Sequence, residues 1–232
     1  MKKILLTATM LTVGLAPLVY AQTTIRVIFA TTTNVRNSNG GTSNARSLLS
    51  SKYGLLRDSD SNTNTGIRWT RPSHFNATYN ARNVTAQTQL TRLRTGSQLG
   101  GFRNERDRRN ADLAQLYCDW TNGSLLGLAN QPAAFSVVRN NTLGILNTRL
   151  GGGIAGVHEI GHNMNATHGQ GHCYANNRRT LMHLGGCGPA NGNFRNVFSS
   201  PTRFFEGSRT GNNSNNNRTR VRNRRGAASR LR

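Results

Sequence analysis

Polar and apolar residues alternate along several short stretches of the chain, and this period of two is typical of β-strands with one buried face. The first such stretch is 24–30, where β-branched residues predominate. Four later stretches are also predicted to be strands: 67–71, 112–118, 125–129 and 135–138. Their number and short length predict a sheet of several strands.

Helical periodicity appears between these strands. Leucines recur at roughly helical spacing in 43–56 and 87–95, which predicts two helices, the second ending at Gly96. The polar segments 37–42 and 58–66 are predicted to be loops. Strands mixed with helices indicate an α/β or α+β fold.

The last third of the chain has a different pattern. The glycines at 151–153 would weaken a helix interior, so a further helix is predicted to start near them and run to about Met164. The segment 165–203 is rich in Gly, Asn and His and is predicted to be irregular. In 218–232, apolar residues lie among arginines. This segment is either a helix packed on the body or a basic tail, and the apolar spacing favours the helix.

The N-terminus has the features of a secretory signal peptide. Two lysines precede the apolar segment 4–18, and Ala21 is a small residue suitable for cleavage. The apolar segment is shorter than the ~20 residues of a membrane-spanning helix, which makes an anchor the less favoured alternative. We predict a signal peptide at 1–21 and a secreted mature chain at 22–232, extracellular or periplasmic, without a membrane anchor.

The chain is strongly basic, with a formal net charge of +22 that falls to +20 when the two N-terminal lysines are removed. Such a charge attracts anionic partners, whether nucleic acid, acidic surfaces or acidic substrates. No nucleic-acid-binding motif accompanies it and aromatic residues are few, so specific nucleic-acid binding is not expected. Polyanion binding by the arginines of 218–232 is an alternative function.

The stretch HEIGHNMNATH, residues 158–168, is the most informative part of the sequence. On a helix, residues four apart lie on one face, so His158 and His162 can bind the same metal ion. His168 can reach that ion if the helix ends near Asn165, since Asn tolerates the left-handed conformation of such a turn. Three imidazoles predict a Zn²⁺ site with an open fourth position, which is typical of catalytic zinc.

Glu159 lies beside this helix face and is predicted to be the catalytic base. It can accept a proton from a water activated by zinc and then deliver that proton to the leaving amine. HExxH alone occurs by chance, but the third histidine and Met182 downstream make a structural zinc site or a packing cluster the less favoured alternative. His172 and His183 fit the ligand spacing less well than His168.

Cysteine usage agrees with export. The mature chain has Cys118, Cys173 and Cys187, and an oxidising compartment permits one disulfide bond with one thiol left over. Cys173 and Cys187 bracket the segment after the histidines, so we predict a bond between them, although three pairings are formally open. Cys118 would then be a buried thiol on a strand.

At these residues the chain resembles the metzincin clan of zinc endopeptidases, whose pattern is HExxHxxGxxH followed by a Met-turn. It is most similar to the reprolysin-like group, and within it to the bacterial peptidyl-Asp metalloendopeptidases. The resemblance implies a twisted mixed β-sheet over an active-site helix, with a smaller irregular C-terminal subdomain. We expect an upper subdomain at about 22–168 and a lower one at about 169–232, with Met182 in the Met-turn.

The chain departs from the metzincin pattern at three positions. Asn165 stands where the family has glycine, and Gly169 where reprolysin-like enzymes usually have aspartate. Leu184 occupies the position, two residues after Met182, at which some relatives have a tyrosine. An auxiliary tyrosine ligand is therefore not expected, and the first strand starts too soon after Ala21 for an N-terminal propeptide.

Together these features predict a secreted, monomeric zinc endopeptidase that cleaves extracellular proteins. The basic charge and the similarity to peptidyl-Asp enzymes favour acidic substrates. The alternative is a polyanion-binding or adhesion protein on a metzincin scaffold. The intact Glu159 favours the enzyme, because a binding protein has no need of a catalytic base.

Overall fold

The computed structural model describes residues 22–70, 74–80, 84–120, 125–139, 154–175, 177–187 and 193–231. The predicted signal peptide at 1–21 and the glycines at 151–153 lie outside the described residues. The described part is a mixed sheet with helices on both faces, followed by an irregular region and a final helix.

The main sheet confirms the strands expected from the alternating pattern, with boundaries shifted by a few residues at most. Among the described residues it contains β1 (Thr23–Thr31), β2 (Ile67–Thr70), β3 (His74–Asn76), β4 (Leu113–Cys118), β5 (Gly127–Ala129) and β6 (Phe135–Arg139). The order across the sheet is β2-β1-β4-β6-β5, and β3 pairs with β1 beyond the end of β2. The pairs are parallel except that β5 runs antiparallel to β6 at one edge.

The helices of the described residues are α1 (Thr33–Ser38), α2 (Thr42–Thr63), α3 (Ala86–Thr95), α4 (Gly100–Arg108), α5 (Ala155–Asn163) and α6 (Asn217–Ala228), with short 3₁₀ turns at Ser97–Leu99 and His168–Gln170. The helices predicted at 87–95 and up to Met164 correspond to α3 and α5. In the part of the chain that the structure describes, no helix has the length and apolarity that crossing a membrane requires.

Helices α1 and α2 correct two expectations, because the predicted loops at 37–42 and 58–66 are partly helical. α1 includes the start of the first loop, and α2 continues through polar residues to Thr63. Ser59 and Thr63 continue the buried face that Leu56 belongs to, at spacings of three and four residues. The Ser59 hydroxyl can be buried because it donates to the carbonyl of Leu56 (2.7 Å).

The core has two layers, one on each face of the sheet. In β1, Ile25, Val27 and Phe29 face the cluster that contains residues of α2, α5 and α6, whereas Ile28 and Ala30 face the cluster with α3 and α4. β4 is buried along its whole length, as a central parallel strand should be. Each large apolar side chain removed from water in this way contributes about 1.5–3 kcal/mol to folding.

The C-terminal region agrees with the expectation of irregular structure interrupted by short pairings. Its described residues include the two-residue strands β7 (Cys173–Tyr174), β8 (Arg178–Arg179), β9 (Asn193–Phe194), β10 (Phe204–Phe205) and β11 (Ser208–Arg209). The predicted disulfide bond between Cys173 and Cys187 is present, and Cys118 is a buried thiol on β4.

The final segment forms a packed helix, as the apolar spacing favoured. Val221 and Ala228 of α6 are buried in the same core cluster as Ile25 of β1. The helix therefore closes one face of the sheet. The predicted boundary between subdomains at residue 168 stays a prediction.

Candidate metal centre

Helix α5 carries two of the predicted metal ligands. His158 and His162 lie one helical turn apart, and their ring centroids are 4.8 Å from each other. Both ends of the helix are bonded to the sheet. Gln115 of β4 donates to the carbonyl of Gly156 (2.9 Å), and Asn163 donates to two carbonyls of the β5–β6 hairpin (2.9 and 3.0 Å). The helix therefore fixes both imidazoles relative to the sheet.

A Schellman motif reverses the chain at the end of α5. Asn165 adopts the predicted left-handed conformation (φ 69°), and its N–H donates to the carbonyl of His162 (2.9 Å). The following N–H, of Ala166, donates to the carbonyl of Gly161 (2.8 Å). This reversal returns His168 towards the two helical histidines.

The three imidazoles converge through their Nε2 atoms. The Nε2 of His168 is 3.0 Å from that of His158 and 3.0 Å from that of His162. These separations are shorter than twice the ~2.1 Å length of a Zn–N bond, so one zinc ion could contact all three nitrogens. The structure thus brings together the three histidines that the spacing predicted.

Two backbone carbonyls determine which nitrogen of each helical histidine carries the proton. Leu181 O accepts from Nδ1 of His158 (2.8 Å), and Ala166 O accepts from Nδ1 of His162 (3.0 Å). Because a carbonyl oxygen can only accept, Nδ1 is protonated and Nε2 keeps its lone pair. Two unprotonated Nε2 atoms directed at one point form the arrangement that a metal ion requires.

Burial keeps these histidines in the neutral form that binds metals. It lowers the pKa of His158 to about 3 and that of His162 to about 4, and repulsion between the imidazoles adds to both shifts. Partial burial of its ring also lowers the pKa of His168, although the residue as a whole is exposed. Metal binding at neutral pH would therefore not have to displace protons from these rings.

Glu159 lies next to the ligands at the edge of the sheet. Its side chain is buried, and its carboxylate lies so close to Gly127 of β5 that a Cβ atom at that glycine would collide with it. Burial raises the pKa of Glu159 to about 8. A carboxyl group with a pKa near neutrality is suited to accepting and releasing a proton.

Met182 lies in a turn beneath α5, where a Met-turn was predicted. The residue is fully buried, and a Cβ atom added at Gly161 would be 2.8 Å from its sulfur and 3.0 Å from the Phe198 ring. Because residue 161 is glycine, the part of α5 between His158 and His162 can pack closely against the turn that contains Met182. The preceding residue, Leu181, supplies the carbonyl that orients His158.

A cavity of about 620 Å³ opens beside the histidines. Apart from Glu159 and the three histidines, its described lining is mainly apolar, consisting of Leu125, Leu126, Gly127, Leu128, Ala129, Ile154, Ala155, Leu181 and Leu184 with Gln131 and Thr167. None of these described lining residues is Lys or Arg. The cavity can therefore receive an apolar group next to the metal centre.

The other histidines lie outside this cluster. His183 Nε2 is 3.3 Å from Cys173 Sγ, at the disulfide bond. His74 lies on β3, and its Nε2 forms a hydrogen bond with the Thr31 hydroxyl (2.7 Å). His168 is thus the histidine that joins the helical pair, and His172 is not part of that group.

Several contacts of the site have no recognisable signal in the sequence. The contact between the Leu181 carbonyl and His158 could not be predicted from the sequence, because every residue has a backbone carbonyl. Gly127 is one glycine among 25, and its contact with Glu159 depends on how α5 packs against β5. Residues 215–220, which bond the loop around His168, lie about fifty positions beyond it.

Comparisons with known proteins agree with this site. Residues 21–197 match the model of the Reprolysin_5 family, described as metallo-peptidase family M12. No curated protein sequence is significantly similar to the chain. Among solved structures, a chain described as "Structure of a chaperone-substrate complex" is 18% identical with a TM-score of 0.71, and the match covers 90% of this chain and 35% of that one.

A second solved structure is the archaemetzincin of Methanopyrus kandleri, with 16% identity and a TM-score of 0.41 over 72% of this chain and 85% of that one. The chain spans about a third of the length of the first solved structure, and at this identity the likeness concerns the fold alone. The family match covers most of the chain. The protein therefore belongs to metallo-peptidase family M12.

Proposed function

We propose that the protein is a secreted zinc endopeptidase in which His158, His162 and His168 hold the metal and Glu159 is the general base. One observation carries the proposal: the three Nε2 atoms converge beside a buried carboxyl group in the wall of an apolar cavity. A structural zinc site has no need of an adjacent cavity or of a buried acid.

The chemistry divides between the metal and the chain's own residues. When bound, zinc supplies Lewis-acid chemistry, since it polarises a carbonyl group and lowers the pKa of water from ~15.7 to ~7. The imidazoles of His158 and His162 would hold the ion as neutral ligands, because their Nδ1 protons are directed to carbonyl oxygens.

Glu159 transfers the proton in this proposal. It accepts a proton from the attacking water as the oxygen–carbon bond forms, and it then donates that proton to the amine nitrogen as the carbon–nitrogen bond breaks. Burial favours the protonated form of its carboxyl group and so favours the first transfer, in which the carboxylate takes up the proton. Gly127 leaves the space that the carboxyl group occupies.

Two features bear on the substrate. The apolar lining supports a preference for an apolar side chain beside the cleaved bond. The net charge of the mature chain, +20 once Lys2 and Lys3 are removed from the +22 of the full sequence, would act at longer range, by raising the capture rate of acidic proteins at low salt. The preference for aspartate that the peptidyl-Asp resemblance implies stays a prediction, and sequencing the new termini tests it.

Edge strand β5 offers backbone groups for binding an extended peptide. Within the described residues it pairs with β6, and Gly127, Leu128 and Ala129 all line the cavity. We propose that the substrate adds to this edge as a further strand, which would place a peptide bond next to Glu159.

The test is cleavage of a pool of denatured proteins by the purified zinc-loaded chain, with Glu159→Gln as the isosteric control. We expect the wild type to cut and the variant, with equal zinc content, to lose at least about 100-fold in rate. New termini read by mass spectrometry report the preferred residues. Equal cutting by both proteins would remove Glu159 from the mechanism, and no cutting by the zinc-loaded wild type would contradict the enzyme proposal.

The polyanion-binding alternative gains no support from Arg218 and Arg225 of the C-terminal helix. Arg218 donates to the carbonyls of Thr63 and Asn64 (2.9 and 3.1 Å), and Arg225 donates to the carbonyl of Thr65 (3.0 Å). These arginines attach α6 to the end of α2. Their guanidinium groups are therefore already engaged in structural contacts.

A further inference from the structure

The loop that carries His168, residues 165–171, is bonded along its length to the 215–220 segment, which includes the first turn of α6. We propose that Asn217 and Arg220 are positioning residues that hold His168 where it can bind zinc. This inference rests on the proposed function, in which His168 is the third ligand. It assigns to the C-terminal helix a role in the metal centre.

Asn217 holds the residue immediately before His168. Its side chain is fully buried, Oδ1 accepts from the N–H of Thr167 (2.8 Å), and Nδ2 donates to the carbonyl of Thr167 (2.9 Å). One amide side chain thus satisfies both backbone groups of a single residue. Because the two bonds fix the peptide planes on either side of Thr167, they determine where the Cα atom of His168 lies.

Asn217 is itself held in place by Ser199. The N–H of Asn217 donates to the Ser199 hydroxyl (3.1 Å), and the N–H of Arg218 donates to the Ser199 carbonyl (3.0 Å). The same hydroxyl donates to the carbonyl of Gln170, two residues after His168. Ser199 and Asn217 are both buried. These contacts connect the two sides of the His168 loop through one buried hydroxyl group.

Arg220 holds the turn that precedes Thr167. Its Nε donates to the carbonyl of Asn165 (2.7 Å), and its Nη2 donates to the side-chain oxygen of the same residue (3.2 Å). Asn165 is the left-handed residue of the Schellman motif. A charged donor on both oxygens favours the conformation that turns the chain back towards His168.

The far side of the loop is held in the same way. Asn215 donates through Nδ2 to the carbonyls of Gly169 (3.4 Å) and Gly171 (2.9 Å), and the N–H of Asn216 donates to the side-chain oxygen of Gln170 (3.0 Å). Gly169 has no side chain with which to support the loop. The 215–220 segment provides that support from outside the loop.

The test measures zinc affinity, by competition with a chelator, in the wild type, Asn217→Ala and Arg220→Ala. Asn223→Ala is the matched control, because Asn223 is an exposed asparagine on the same helix. Loss of a group that orients a ligand typically weakens metal binding by about 10–100-fold. We expect weakening in this range for Asn217→Ala, a smaller loss for Arg220→Ala, partial recovery in Arg220→Lys, and no change in the control.

A second measurement separates positioning from general folding. Circular dichroism and thermal melting of the zinc-free variants should show a folded protein, while the cobalt-substituted forms of Asn217→Ala and Arg220→Ala should show an altered visible spectrum. Wild-type zinc affinity in both variants would overturn the inference. If Asn217→Ala does not fold, the zinc affinities of Arg220→Ala and Arg220→Lys decide, and wild-type affinity in Arg220→Ala would overturn the inference. If His168→Ala binds zinc as tightly as the wild type, the failure lies in the proposed ligand set instead.

Discussion

The proposed metal centre combines two regions that hold their histidines by different means. Helix α5 holds His158 and His162 through regular helical geometry and through bonds from its ends to the sheet. The loop 165–171 holds His168 through bonds to a segment 50 positions later in the chain. One half of the site is therefore organised locally and the other depends on the C-terminal helix.

This difference indicates which part of the candidate site is more sensitive to changes elsewhere in the protein. A helix that is tied to a sheet at both ends keeps two ligands in place whether or not the third is present. The loop lacks a repeating hydrogen-bond pattern, so each of its polar backbone groups needs a partner from elsewhere. Damage to α6 should affect His168 before it affects α5.

The largest expected effect comes from removing a ligand from each region. His162→Ala and His168→Ala should each weaken zinc binding by more than the roughly 100-fold that loss of an orienting group can cause. Chelator competition measures this loss. If the two regions are independent, backbone amide hydrogen exchange in α5 should be the same in His168→Ala as in the wild type. Rapid exchange throughout α5 in this variant would show that the two regions are not independent.

Next in size is a change at the sheet edge that spares both sets of ligands. In Gly127→Ala the new methyl group would displace the Glu159 carboxylate, and peptidase activity should fall by roughly 100-fold. Zinc content should stay at the wild-type value. Gly169→Ala is a suitable control, since a Cβ atom there meets no neighbour. Undiminished activity in Gly127→Ala would argue against Glu159 as the base.

A smaller effect is expected at the turn between the two regions. Asn165→Ala places an alanine in the left-handed conformation at φ 69° and removes the side-chain hydrogen bond to Arg220. This change should lower the free energy of unfolding by about 1–2 kcal/mol. Asn165→Gly also loses that bond but relieves the backbone, so it should cost less. Urea denaturation of both variants measures the difference, and equal losses would show that backbone conformation is not the cause.

The smallest effect concerns a histidine outside the metal centre. His74 accepts a bond at Nδ1 from Arg46 (3.3 Å), and burial together with the charges of Arg46 and Arg36 lowers its pKa from 6.5 to about 4. The unfolded chain therefore binds a proton before the folded protein does. Stability should fall as the pH drops from about 6.5 to about 4 and then level off, by about 1 kcal/mol because solvent screens a half-exposed ring.

Urea denaturation across this pH range, in the wild type and in His74→Gln, isolates the contribution of His74. The glutamine variant should show the shallower decline, since it cannot titrate. An identical pH dependence in both proteins would contradict the assignment. The other histidines are present in both proteins, so their protonation cancels in the comparison.

Much of the fold could be predicted because the relevant signals are local. Local residue pattern identified five strands of the main sheet but not β3, and the spacing of Val221 and Ala228 indicated that α6 packs on the body. The end of α2 could not be predicted in the same way. Ser59 and Thr63 resemble loop residues in composition, and their helical placement depends on the space available against the core.

The candidate site shows the same division. The spacing of four residues between His158 and His162 required a helix, and the left-handed preference of Asn165 indicated the turn before His168. No spacing rule connects Thr167 to Asn217 or Glu159 to Gly127, since each pair meets through packing of separate elements. Those pairs became visible once the helices were placed on the sheet.

By itself, the sequence determined which side chains are candidate metal ligands and the local geometry of α5, because residue type and helical period depend on neighbouring positions alone. The tertiary structure decided which tautomer each helical histidine adopts, where the Glu159 carboxylate lies and what holds the His168 loop. These properties depend on carbonyl groups and on close contacts between distant segments. A backbone carbonyl has the same chemistry at every residue, so its role is decided by its position in space.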